Sequence, residues 1–224
     1  MDTVENAVAE VKRVGKRPGI RAVLVPVYPA EEKEWNHPDY EPLWNALDDH
    51  GLSISIHIGE KRGQKVQPWA MAHPGGVETM INTITFGTAE SFAYLLWSGV
   101  FDRHPRLTVV SVESGIGWLA YFRERANNVY KRHRHWTHSG LKEEPGAYFG
   151  RNIFATFEED MVGIRTRDVI GVETLMWSSD YPHTDTSWPH CRENIEEHFV
   201  GVSDVDKRKV VAENAARVYG FDLN

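Results

Sequence analysis

The chain has 224 residues, 41% of them hydrophobic, with a formal net charge of −7. That length is enough for one large domain with a sizeable core, and a single domain over residues 1–224 is expected. The acidic balance argues against nucleic acid or an anionic membrane as the main partner, and no run approaches the roughly 18 apolar residues of a membrane span.

The first residues, Met1 to Asn6, lack the basic and then apolar pattern of a secretory signal. Residues 3–16 carry Val4, Ala7, Val8 and Val11 at helical spacing. Ile20–Val27 reads as a strand ended by Pro26, and Ala30–Asn36 as a polar loop. Pro42–His50 is a helix with Leu43, Trp44 and Leu47 on one face, stopped by Gly51. Leu52–Gly59 is the next strand. Glu60–Pro74 is a long loop placed to cover a site, with His73 on it as an exposed histidine. Glu78–Trp97 predicts a long helix that breaks at Phe86-Gly87-Thr88.

Gly99–Leu107 leads into a strand over Leu107–Gly115. Trp118–Tyr130 is helical and runs into the basic stretch Lys131–His138, a solvated helix end whose cations suit the negative terminus. Asn152–Phe157 is a short strand followed by Glu158, Glu159 and Asp160. Asp160–Val169 is helical, Val172–Asp180 is the last strand, and Pro189–Val200 is a helix. Cys191, in that helix, is the only cysteine, which predicts a structural thiol and a reducing, cytoplasmic setting. Ser203 and Asp206 form a capping-box-like start to a final helix, Val205–Tyr219, closed by Gly220. Strand and helix alternate without hairpin signals, so the class is α/β with a parallel sheet. No Gly-x-Gly-x-x-Gly or Walker loop points to a nucleotide fold. Without a Gly-x-Ser-x-Gly elbow, Ser114 is a weak nucleophile.

Three strands end in residues that carry chemistry. Side chains alternate with period 2, so Ser55 and His57 share one face and Ile54, Ile56 and Ile58 the other. The same spacing pairs Ser111 with Glu113 against Val110 and Val112, and Ser178 with Asp180 against Leu175 and Trp177. Small residues below a functional group, with large apolar ones facing away, suit a strand of a (β/α) barrel. The carboxyl ends of such strands are where sites are built.

Longer motifs accompany them: His37-Pro-Asp-Tyr-Glu-Pro-Leu-Trp44, Ile56-His-Ile-Gly59, Phe101-Asp-Arg-His-Pro-Arg-Leu107, Ser178-Ser-Asp-Tyr-Pro-His183 and Glu213-Asn-Ala-Ala-Arg-Val-Tyr-Gly220. On these the chain resembles the amidohydrolase-related (amidohydrolase 2) family, which includes the aminocarboxymuconate-semialdehyde, resorcylate and carboxyvanillate decarboxylases. The resemblance implies a metal-dependent (β/α)₈ TIM barrel, incomplete here, with the five strands matching its fourth to eighth. It implies one divalent metal, zinc or manganese, with His57 and Asp180 as ligands and Asp180 also taking a proton from bound water. Glu113 falls where many relatives carry a histidine that binds substrate or moves a proton, and a glutamate there serves as acid or base. His183 and Trp118 are implied substrate contacts.

The family's first strand, which carries a His-x-His or (Asp/Glu)-x-His pair, has no match here, and the chain's only His-x-His is His133-Arg-His135, at the end of a basic helix. The implied activity is hydrolysis or non-oxidative decarboxylation of a small aromatic or cyclic carboxylate, ester or amide. The alternative is a non-catalytic remnant or binding module using the same cleft. With two ligands the metal is expected to be weakly held, and an open sheet is expected to be poorly stable or to self-associate into a homo-oligomer through its edges.

Overall fold

The computed structural model describes residues 3–29, 33–59 and 72–223. Five strands, β1 (Ala22–Val25), β2 (Ser53–His57), β3 (Val109–Val112), β4 (Ile153–Phe157) and β5 (Leu175–Trp177), lie in chain order in one sheet. Every neighbouring pair is parallel. The connections carry helices α2 (Glu41–His50), α3 (Gly76–Thr83), α4 (Thr85–Trp97), α5 (Val100–Arg103), α6 (Gly117–Thr137), α7 (Met161–Arg165) and α8 (Arg167–Ile170). Helix α1 (Val4–Val14) precedes the sheet, and α9 (Cys191–His198), α10 (Asp204–Arg208) and α11 (Asn214–Tyr219) follow it. A π-helical turn, Lys209–Glu213, joins α10 to α11.

Alternate apolar residues of the strands bury one face of the sheet under the helices. Ile54, Ile56, Val109, Ile153, Phe157 and Leu175 join Leu43, Leu47, Phe92, Leu95, Phe101 and Leu119 in the main core. Each such side chain is worth about 1.5–3 kcal/mol relative to exposure. The opposite face has a smaller cluster, Val110, Phe154 and Met176, against which Val112, Ala215, Val218 and Tyr219 pack. Gly51 ends α2 at φ 61°, and Leu52 N–H reaches back to the Leu47 carbonyl at 3.0 Å, turning the chain straight into β2.

The register corrects one expectation. Ile56 pairs with Ser111 and Ser55 with Val110. Neighbouring residues in a parallel ladder share a face, so Ser111 lies on the helix-covered side and Val110 and Val112 lie on the side of Ser55 and His57. Ser111 is fully buried, and its hydroxyl finds no hydrogen-bond partner among the described residues. The last strand also differs. It covers only Leu175–Trp177, because Gly171 (φ 98°) starts a 3₁₀ turn over Val172–Thr174, and its pairing with β4 ends where Ser178 N–H meets the Phe157 carbonyl at 2.9 Å.

The helix after residue 75 is not broken at Phe86-Gly87-Thr88. It passes through Gly87 and is interrupted at Ile84, itself at helical φ and ψ. Gly87 serves a close approach instead, since a Cβ there would stand 3.2 Å from the Tyr28 hydroxyl. The expected helix over Asp160–Val169 divides into α7 and α8 at Thr166, with Asp160 as the N-cap.

The quoted motifs turn out to staple elements to each other. Glu41, at the start of α2, accepts from Arg103 and His104 at 2.9 Å each. Asp102 accepts from the Tyr148 hydroxyl at 2.8 Å. Asn214, 1% exposed, donates to the carbonyls of Val172 and Leu175 at 2.8 Å each, and Arg217 donates to the carbonyls of Gly150 and Glu173. Ser203 Oγ accepts from Asp206 N–H at 3.1 Å, the cap expected for the closing helix.

Candidate active site

Each functional side chain stands where a strand stops. His57 is the last residue of β2. Glu113 follows β3, Glu158 follows β4, and Asp180 and His183 lie in the turn after β5. Glu113 and Asp180 share a further feature. Both are non-glycine residues in the left-handed region, at φ 57° and 55°. That conformation costs about 1–2 kcal/mol and persists only where the surroundings enforce it. It also ends the strand alternation, which explains how the Glu113 carboxylate reaches His57 although Ser111 faces the other way.

The distances define a linked group. His57 Nε2 lies 2.8 Å from Glu113 Oε2. The same oxygen lies 3.6 Å from His183 Nδ1, which is 2.9 Å from Asp180 Oδ1. Glu113, Asp180 and His183 each offer a ligand atom within 4.8 Å of the others. The Asp180 side chain is 7% exposed, while that of His183 is 60% exposed. His57 Nδ1 faces the Ile58 carbonyl, so both ring nitrogens meet acceptors, an arrangement that favours the protonated ring. Burial alone would lower the His57 pKa. The Ile58 carbonyl and the Glu113 carboxylate, with Asp180 beyond them, outweigh burial and raise it.

The Glu158-Glu159-Asp160 run after β4 is divided in its duties. Glu158 belongs with the site. Burial, and then the charges of Asp180 and Glu113, push its carboxyl pKa from 4.5 up to about 7. Ser178 donates to it at 3.3 Å. Glu159 accepts from Asn194 at 2.8 Å. Asp160 clamps two helix starts, accepting from Ile116 N–H and Gly117 N–H at 2.6 Å each and from Gly163 N–H at 2.7 Å. The loop that leaves Glu113 is thereby tied down. No role for Glu158 follows from the sequence. The available signal is three acids directly after a strand, which does not say which of them is buried.

Trp118 stands in the first turn of α6. Its indole N–H donates to the Gly115 carbonyl at 3.1 Å, and its ring packs on Phe92 and Phe122 at centroid distances of 6.0 and 5.4 Å. It borders the Glu113 loop rather than the linked group of four. Ser114 is buried and donates to Thr88 and to the Val112 carbonyl, with no histidine in that pair of bonds. The histidine-rich end of α6 is exposed, and Trp136 donates to His133 there. Cys191 opens α9 and is half-buried beside Ser187. His73 is exposed, and residues 60–71 of its loop lie outside the described residues. No helix among the described residues is long and apolar enough to cross a membrane.

A curated relative, gamma-resorcylate decarboxylase from Rhodococcus jostii (strain RHA1), is 24% identical over 203 residues, covering 83% of this chain and 55% of that protein. The solved structure of 5-carboxyvanillate decarboxylase LigW from Sphingomonas paucimobilis superposes with a TM-score of 0.78 at 22% identity, covering 98% of this chain and 64% of that one. A dihydroxybenzoic acid decarboxylase from Polaromonas sp. JS666, solved with bound manganese and the inhibitor 2-nitroresorcinol, superposes with a TM-score of 0.75 at 19% identity, covering 98% and 67%. This chain thus spans little more than half of the curated relative, and its sheet is a five-strand portion of a TIM barrel. The family described as Amidohydrolase matches residues 1–221, and the chain belongs to it.

Proposed function

We propose that this chain carries the larger part of a metal-dependent decarboxylase site for a small aromatic carboxylate. The observation that supports it most is the convergence of His57, Glu113, Asp180 and His183 at the carboxyl ends of β2, β3 and β5. Nitrogen and carboxylate donors of this kind suit zinc or manganese. His57 and Asp180 would hold the ion, and a bound divalent metal supplies Lewis acidity to clamp a carboxylate and a neighbouring phenolate.

The remaining chemistry belongs to the protein. Loss of CO₂ leaves an electron pair on the ring carbon, and a proton must be delivered there. Glu158 keeps its carboxyl proton to about pH 7 and faces the same site, so it is the group poised to give it. That proton supply favours decarboxylation over hydrolysis, and the named relatives point the same way. Trp118, whose indole is tied to the Gly115 carbonyl beside the Glu113 loop, and the exposed His183 are the candidate substrate contacts in this reading. The lone Cys191 fits work in the cytoplasm.

The test is CO₂ release from 2,6-dihydroxybenzoate and from 5-carboxyvanillate by manganese-loaded protein. The expected result is turnover lost by at least about a hundredfold in Asp180→Ala. Ester hydrolysis without CO₂ release would instead select the hydrolase. Aromatic carboxylate bound without turnover would select the binding module.

A further inference from the structure

We propose that the amino-terminal end of the sheet carries a second binding site, for a small oxyanion of two or more negative charges: phosphate or a di- or tricarboxylate. It stands at the opposite end of the strands from the candidate active site and does not depend on the metal reading.

The site is a cavity of about 250 Å³. Its walls are the turn from α2 into β2, residues at the starts of β3 and β4, and α11. Sites for drug-sized ligands usually span about 300–1,000 Å³, and this one falls below that range, so its occupant is small. Three arginines line it, Arg106, Arg151 and Arg217, and Asp48 is the one lining acid among the described residues. The lining therefore carries three positive charges against one negative, in a chain whose formal net charge is −7. Glu143 and Glu173, the carboxylates that neighbour Arg151 and Arg217, do not line it.

The arginines are braced and still have donors left over. Arg106 gives Nε to the Asp48 carboxylate at 3.1 Å and Nη2 to the Asp48 carbonyl at 3.4 Å. Arg151 gives Nε to Asn152 and Nη1 to Glu143, at 2.9 Å each. Arg217 gives its two Nη groups to the carbonyls of Gly150 and Glu173, and its guanidinium carbon lies 5.2 Å from the Phe154 ring centroid. Nη1 of Arg106, Nη2 of Arg151 and Nε of Arg217 have no hydrogen-bond partner among the described residues. A guanidinium held this way has given up its side-chain freedom before a ligand arrives, and its planar fork matches the oxygens of phosphate and carboxylate.

The cavity also has a buried polar wall. Thr108 Oγ1 donates to Ser53 Oγ at 2.7 Å, and Ser53 is 3% exposed. Leu52, Leu107, Phe154 and Val218 add apolar surface, which strengthens charge attraction at the site by keeping the local dielectric low. Bonds to carbonyls and carboxylates account for the joining role of each arginine. They do not account for three like charges around one cavity, which repel one another unless an anion lies between them.

The experiment is calorimetric titration of sodium phosphate and of sodium citrate into chelator-stripped protein, with ionic strength held constant by sodium chloride. The parent is expected to take up one equivalent of at least one of them with a Kd of about 1 mM or below. Uptake of phosphate alone assigns the site to phosphates, and uptake of citrate alone to polycarboxylates. Uptake of neither overturns the proposal. Arg106→Gln and Arg151→Gln, at side chains that are 77% and 44% exposed, are each expected to weaken binding by about tenfold or more. Parent-like affinity in both variants means an adventitious ion only and overturns the site. Binding abolished by His57→Ala would place the anion at the carboxyl ends of the strands and overturns it as well.

A glutamine variant that fails to fold is replaced by Arg106→Lys, which keeps the charge and removes the fork. That variant must bind more weakly than the parent at an unchanged thermal midpoint. Parent-like affinity overturns the assignment of Arg106.

Discussion

Glu158 shows how much at the residue scale depends on burial that local sequence does not report. Its ordinary pKa is 4.5, and the folded protein raises it to about 7 through burial and the charges of Asp180 and Glu113. Between those values the folded chain holds a proton that the unfolded chain has released. Stability from this site is therefore complete below pH 4.5 and falls as the pH rises through about 7. The carboxyl keeps some solvent contact, so the loss is about 1–2 kcal/mol rather than the full linkage value. In metal-free protein, Glu158→Gln should match the parent in urea unfolding at low pH and exceed it by that amount at pH 8. The same difference at both pH values would contradict the assignment. His57 and Asp180 were legible because each ends an apolar run with a ligand-type side chain. Glu113 was found for an incomplete reason. Alternation placed it with Ser111, but the left-handed φ at Glu113 breaks the alternation, and Ser111 faces the core.

At the scale of elements, the site depends on contacts between helix starts. Asp160 joins the loop after β3 to the first turn of α7, and the two run so close that a Cβ on Gly163 would stand 2.2 Å from Ile116 Cγ1. Helix propensity favours alanine over glycine by about 1 kcal/mol. Overpacking costs about 1–3 kcal/mol, and Ile116 is fully buried with little room to yield. The clash should win, so Gly163→Ala is expected to lower the unfolding free energy and, by moving the Glu113 loop, to weaken metal binding. A more stable variant would show that the loop yields freely. Element type and order were legible from periodicity and from the Gly51 and Gly220 stops. The ends of the last strand were not. They depend on Gly171 and on Asn214, which bonds the Val172 and Leu175 carbonyls from a helix about 40 residues later.

For the whole molecule, five parallel strands in chain order give a sheet with β1 and β5 at its margins. Leu24 on β1 is 65% exposed and shares the face of its register partner Ser55, whereas α11 covers the same face around Val110, Phe154 and Met176. The family motifs were legible as a set, and the structure gives most of them a joining role: Glu41 to Arg103 and His104, Asp102 to Tyr148, Asn214 and Arg217 to the entry of β5.

The central claim is that the ends of β2, β3 and β5 form a metal-dependent site. Metal content per chain, measured by elemental analysis on purified protein beside His57→Ala and Asp180→Ala, tests it most directly. Close to one divalent ion per chain in the parent, lost in both variants, is the predicted result. A folded parent that holds no metal after incubation with manganese or zinc would contradict it.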